Sequence, residues 1–274
     1  MREVPASRPR LVATDLDGTL LHTDGTVTAR TRAVLSALDD LDVPVIFTTG
    51  RPVRWMEALW ADVGGHGLAI CSNGGIVYDV AAQVVAQSHT ISLDTLVTVG
   101  QLLRTAIPGT TFAVEKTTGF AREEAFMPRL GVNASNDILL GTLETIADET
   151  VVKLLARHEQ IAAEDFWEQV EGSIGHLVTT TWSSTGTLVE MSAAGVTKAS
   201  ALAMLANDLG IAAEEVIAFG DMPNDLPLLA WAGISYAMAN AHPTVLALAD
   251  HVAPRNDEDG VAEVLTRLFD LSLG

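Results

Sequence analysis

The sequence holds a single cysteine, Cys71, among 274 residues. An intrachain disulfide is excluded, and so is a zinc site built on paired cysteines. Histidine supplies no alternative. The seven residues His22, His66, His89, His158, His176, His242 and His251 form no HxH or HxxxH pair. Basic residues are scarce, 16 against 35 acidic ones, for a formal net charge of -19. Such a surface repels nucleic acid and anionic lipid, so neither is expected as a partner. No run reaches the roughly 18 apolar residues that a membrane span needs. The segment MREVPASRPR leads into an aspartate-bearing stretch and not into a signal-peptide apolar region. A cytoplasmic location is expected, which makes the glycosylation sequon at Asn133–Ser135 accidental. The sequence also lacks GxxxxGK[ST] and GxSxG, and GGHGLA has Gly65 and Gly67 but no third glycine of GxGxxG. A P-loop nucleotidase, a serine-hydrolase elbow and a dinucleotide fingerprint are thereby set aside.

What is present is a core-rich chain, 48% apolar, long enough for one large or two ordinary domains. Short apolar runs at 11–14, 43–48, 68–71, 216–219, 234–238 and 251–253 alternate with helical patterns, the signature of βαβ units and a mostly parallel sheet. Thr28 is a plausible N-cap for a helix that places Val34, Leu35 and Leu38 on one face. A second helix, in TKASALAMLANDLG, aligns Leu202, Leu205 and Leu209 and stops at Gly210. Residues 83–189 read differently, as threonine-rich alternating strands with helices near 92–106 and 159–172. They form an expected α+β insertion between two pieces of the sheet domain, 1–82 and 190–274.

Four of the apolar runs end in compact polar motifs: TDLDGT, TTGR, SNGG and GDMPND. The carboxyl ends of parallel strands lie along one edge, where ligands bind, so motifs far apart in sequence are expected to converge. Asp15 and Asp17, at i and i+2, would share a side of an extended backbone and reach one reaction centre. Such a pair can hold a cation or divide nucleophile and acid/base roles. Gly18 permits a turn after them. An EF-hand register from Asp15 fails, because its sixth and twelfth positions are Leu20 and Thr26. Asp221 and Asp225, with Asn224 between them, add oxygen ligands that suit Mg²⁺ better than Ca²⁺. Lys198 in a first helical turn opposes the macrodipole unless an anion or a carboxylate faces it. Thr49 ends its strand ready to donate to a phosphate oxygen, while Arg51 is either a phosphate ligand or a structural ion pair.

DLDGTL, TTGR, the lysine of GVTK and GDMPND, in that order, resemble the four motifs of the haloacid dehalogenase superfamily. SNGG, the large insertion and the tail YAMANAHPTVLALADHVAPRNDEDGVAEVL are similar to its Cof-type, or type IIB, phosphatases. The resemblance implies an α/β fold, a Rossmann-like parallel-sheet core domain with an inserted α/β cap domain. It further implies a Mg²⁺-dependent phosphatase of small phosphorylated metabolites, commonly sugar phosphates, acting through an aspartyl-phosphate. Asp15 would be the nucleophile and Asp17 the acid and base. Thr49, Gly50, Arg51, Asn73, Lys198 and Asn224 would bind substrate or phosphate. Asp15, the carbonyl of Asp17 and Asp221 would hold Mg²⁺, with Asp225 ligating or supporting it. The expected partner is a small phosphorylated metabolite, and the expected assembly a monomer or weak homodimer.

Two other functions remain open on these residues: a phosphotransferase such as a sugar-phosphate mutase, and a binding protein without turnover. Substrate choice falls to the cap, where Glu115, Lys116, Arg122, Lys153, His176 and Trp182 are candidates. The loop NDEDG, with Asp257 and Asp259, resembles a calcium-loop fragment and is read as a solvated turn.

Overall fold

A computed structural model describes residues 8–60, 67–127, 138–182 and 186–272. Gly65 and the sequon at Asn133 lie outside the described residues. The strands, in chain order, are β1 Leu11–Thr14, β2 Val45–Thr48, β3 Leu68–Cys71, β4 Ile76–Asp79, β5 Val84–Ser88, β6 Thr111–Lys116, β7 Gly119–Arg122, β8 Leu139–Leu140, β9 Val151–Arg157, β10 Val178–Thr181, β11 Leu188–Ala193, β12 Val216–Gly220, β13 Ile234–Met238 and β14 His251–Ala253. The chain divides into two compact units, Met1–Ala86 with Thr197–Gly274, and Gln87–Val196.

The first unit is built on an eight-stranded sheet of order β14-β13-β12-β1-β2-β3-β4-β5. From β14 to β3 every pairing is parallel; β4 turns back antiparallel on β3. Strands β1, β12 and β13 are buried along their whole length, which explains why LVAT, VIAFG and ISYAM are near-continuous apolar runs and not alternating ones. The helix Ala29–Asp40 starts at Thr28, whose hydroxyl accepts from the Thr31 N–H, and buries Val34, Leu35 and Leu38. The helix Lys198–Asp208 is opened by a reciprocal capping pair, Thr197 and Ser200, and buries Leu202 and Leu205. Leu209 does not join that face: it is the C-cap residue and is exposed.

The second unit is a six-stranded sheet of order β10-β11-β9-β6-β7-β8. It is antiparallel except for the short β7–β8 pair. Helices Leu93–Ala106 and Ala163–Ile174 present Leu96, Val99 and Leu103, and Phe166, Val170 and Ile174, at helical spacing. These residues share a core with Phe112, Val114, Leu154 and Ala156 of the sheet. The division falls at 86/87 and 196/197, later than the sequence reading of 83 and 189. Strand β5 pairs in the eight-stranded sheet, and the first division falls within it. Strand β11 runs to Ala193 and pairs with β9 and β10, so a boundary at 189 would cut a strand in two.

Phe166 is fully buried against this apolar sheet face. Phe166→Ala is expected to cost the insertion about 3–5 kcal/mol, read as a lower denaturation midpoint in urea.

Candidate active site

The four polar motifs lie at the carboxyl ends of β1, β2, β3 and β12, neighbours in one parallel array. Asp15 follows β1 directly and is buried. Lys198, the first residue of its helix, is wholly buried and donates through Nζ to Asp15 Oδ1 at 2.6 Å and to Asp225 Oδ1 at 2.6 Å. The anion demanded by a lysine at a helix start is therefore a pair of carboxylates. Asp225 Oδ2 accepts from the backbone N–H groups of Asp221, at 3.0 Å, and Met222, at 3.1 Å. Both Asp225 oxygens are thus committed, one to the lysine and one to the turn that presents Asp221.

Asp221 follows β12 and accepts through Oδ1 from the Thr19 hydroxyl at 3.1 Å. One carboxylate oxygen from each of Asp15, Asp221 and Asp225 lies within 4.8 Å of the others. Three buried carboxylates against one ammonium leave an excess of negative charge, and the ionisation behaviour follows. Burial raises the Asp15 carboxyl well above its usual range, with Lys198 opposing and Asp225 and Asp221 adding to the rise. Burial also raises Asp221, to about 7, reinforced by Asp225. Burial alone would lower the Lys198 ammonium, but Asp15 and Asp225 outweigh it and hold it charged. A hard divalent cation at the Asp15–Asp221 side would neutralise this excess, and an all-carboxylate donor set suits one.

Asp15 and Asp17 do not lie side by side on an extended strand. The chain turns at once, with Leu16 buried and its carbonyl accepting from the Leu21 N–H at 2.9 Å. Asp17 emerges exposed and is gripped by Arg51, Nε to Oδ2 at 2.7 Å and Nη2 to Oδ1 at 2.5 Å. Of the two readings of Arg51, the ion pair is the one formed in this structure. Gly18 has φ +78°, and a Cβ there would stand 2.3 Å from Asp221 Oδ2, so the turn needs glycine for both conformation and space.

Thr49 follows β2, is buried, and its Oγ1 accepts from the Arg51 N–H at 3.0 Å. Gly50 lies between the two. In SNGG, Ser72, Asn73 and Gly74 all have positive φ, at 53°, 57° and 103°. Two of them are not glycine, a strained arrangement typical of functional loops. It lets Gly74 pack against the Thr197 carbonyl, which an added Cβ would approach to 2.3 Å. Asn224 Nδ2 donates to Asn73 Oδ1 at 3.1 Å, joining the β3 and β12 loops.

The insertion's candidates separate into two kinds. Glu115 and Lys153 face each other on β6 and β9, on the sheet face opposite the helices, and both are buried. Lys153 Nζ meets Glu190 Oε1 at 3.0 Å. Glu190 went unread in the sequence because its partner is set by strand register. Lys116 pairs instead with Asp148 at 2.6 Å, and Arg122 donates to the carbonyls of Glu123, Glu124 and Phe126. His176 is exposed and Trp182 half-buried. Thr19 was also missed, although its position next to DLDG was the available signal.

Residues 12–265 match the haloacid dehalogenase-like hydrolase family. The chain belongs to that family. Among its curated relatives in this hydrolase family is the 5-amino-6-(5-phospho-D-ribitylamino)uracil phosphatase of Bacillus subtilis (strain 168), 27% identical, with 97% of this chain and 99% of the relative covered. Another is the phosphoglycolate phosphatase of Halorubrum lacusprofundi, 30% identical over 94% of this chain and 96% of the relative. The fold matches that of a haloacid dehalogenase subclass IIB sugar phosphatase with a TM-score of 0.78 at 21% identity, covering 96% of this chain and 100% of that one. No helix among the described residues of this hydrolase is long and apolar enough to cross a membrane.

The raised Asp221 fixes the sign of a pH effect. Its carboxyl binds a proton more tightly in the folded chain, at about 7, than at its ordinary value of 3.8. Folded stability is therefore lost as pH rises from about 4 through 7. In chelator, Asp221→Asn, which cannot ionise, is expected to melt above wild type at pH 8, with the gap closing toward pH 4; differential scanning calorimetry reads this.

Proposed function

We propose that the chain is a Mg²⁺-dependent phosphomonoesterase acting on small phosphorylated metabolites, with sugar phosphates the first class to test. The reading is carried by one observation: the Lys198 ammonium bridges Asp15 and Asp225 beside Asp221, at the carboxyl edge of a parallel sheet. Phosphoryl transfer asks chiefly for positioned charge, and this site concentrates it. The phosphatase names of the relatives support the reaction, and their different substrates leave the leaving group open.

In this reading a carboxylate oxygen of Asp15 attacks phosphorus and the bond to the leaving oxygen breaks. Asp17, protonated from solvent once Arg51 releases it, gives that proton to the departing alcohol. Asp17 then takes a proton from water as that water attacks the aspartyl-phosphate, releasing inorganic phosphate and restoring both side chains. Lys198 and Thr49 bind phosphoryl oxygens, and Lys198 keeps Asp15 aimed. Arg51, Gly50, Asn73 and Asn224 line the same edge, with Arg51 holding Asp17 until it turns toward the leaving group. Asp15, Asp221 and the carbonyl of Asp17 would hold Mg²⁺, with Asp225 in support because its oxygens are already engaged. The cation would supply charge neutralisation for the phosphate and the carboxylates.

Hydrolysis of an aryl phosphate is expected to require Mg²⁺, to stop with chelator, and to fall at least about 1000-fold in Asp15→Asn, since removal of a nucleophile forfeits the covalent route. Activity that survives either treatment refutes the mechanism. A mutase would instead transfer phosphate between sugar hydroxyls faster than to water, which product analysis on a sugar-phosphate panel distinguishes.

A further inference from the structure

The segment after β13 touches both loops that carry the site's carboxylates. Asn240 Nδ2 donates to the Gly18 carbonyl at 2.8 Å. Two residues on, the His242 N–H donates to the Asp221 carbonyl at 2.8 Å. Gly18 in turn lies against the Asp221 carboxylate, with no room for a side chain between them. The orientation of the Asn240 amide is not free. Its Oδ1 accepts from the Asn256 N–H at 3.0 Å, so its Nδ2, and not its oxygen, must face Gly18. Asn256 is buried, and its own Nδ2 donates to the Leu21 carbonyl at 2.9 Å.

The NDEDG loop that carries Asn256 is exposed at Asp257 and Glu258, as a solvated turn would be, yet it is also tied down. Asp257 accepts from the Thr23 N–H and hydroxyl, both at 2.7 Å. Asp259 accepts from Thr28 at 2.8 Å and contacts His22 Nε2 at 2.9 Å. The loop is thus latched onto the segment downstream of Asp15 and Asp17, and Asn240 is the link from that latch to the site.

We infer that Asn240 is a positioning residue that sets the spacing between the Asp17–Gly18 turn and Asp221, and through it the affinity for the divalent cation. The inference rests on the metal-dependent reading above. Three mutually repelling carboxylates would spread apart without a fixed frame, and a spread site binds a small, geometrically demanding cation less well. Residues on a strand-end turn hold such geometry only as well as their supporting hydrogen bonds do.

Asn240→Asp separates this role from simple electrostatics. The variant keeps the size of the side chain and the acceptor for the Asn256 N–H, but loses the donor to Gly18. Added negative charge near the site would by itself tighten cation binding, whereas loss of the clamp weakens it. Asn240→Ala removes the clamp without adding charge. Isothermal titration of Mg²⁺ into the purified protein is expected to show binding weakened about five- to tenfold in both variants, the scale of one hydrogen bond. The Mg²⁺-induced rise in Tm should shrink in parallel, and the Mg²⁺ concentration for half-maximal hydrolysis should rise. Unchanged affinity in both variants, or tighter binding in Asn240→Asp with no loss in Asn240→Ala, overturns the inference even if both melt earlier. If wild type itself binds no Mg²⁺ in the same titration, the metal-dependent reading falls instead.

Discussion

The Lys198 ammonium, wholly buried between Asp15 and Asp225, is the interaction around which the first unit is arranged. Its two partners arrive on loops after β1 and β12, and the lysine itself arrives at the start of a helix that packs on the SNGG turn. A buried ion pair of this kind offers little net stability, because desolvation offsets most of the attraction. Its effect is selective. Removing the lysine leaves two carboxylates buried without a counter-ion, so only arrangements that bring both strand ends and the helix start together are tolerable. The strained backbone at Ser72 and Asn73 and the glycine at 74 are consistent with that constraint, since they let the β3 loop approach the lysine's helix.

The site carries more negative charge than its lysine can balance. Asp225 is neutralised by Lys198 and by two backbone N–H groups, and it behaves as part of the frame. Asp15 and Asp221 keep the unbalanced remainder; burial raises both carboxyls, and their like-charged neighbours add to the rise. An acidic centre whose carboxylates outnumber its ammonium could hold a cation.

Much of this was legible in the sequence, for a definite reason. Asp15, Thr49, Asn73 and Asp221 each stand at or just beyond the end of an apolar run, and parallel topology carries such ends to one edge whatever lies between them. Lys198 was legible because a cation at a helix start asks for an anion. The turn after Asp15 was not, because the pattern DLDG fits an extended strand as well as a tight loop. Asn240 and Asn256 were hidden for a different reason: asparagine near a turn has many uses, and only the partners at Gly18 and Leu21 reveal this one. Glu190 and Lys153 meet across β11 and β9, and register, which alternation alone does not specify, decides that pair.

Strand β1 has its two neighbours at very different distances along the chain. Val12 pairs with Val45 on one side, but Leu11 pairs with Val216 on the other, beyond the whole insertion. As the polypeptide leaves the ribosome, the segment bearing Asp15 can find β2 early, yet its other edge stays open until β12 has been made. The lysine that neutralises Asp15 follows 183 residues after it. The insertion must therefore be synthesised, and is free to fold on its own sheet, while the central strand waits with one edge bare and a carboxylate unpaired.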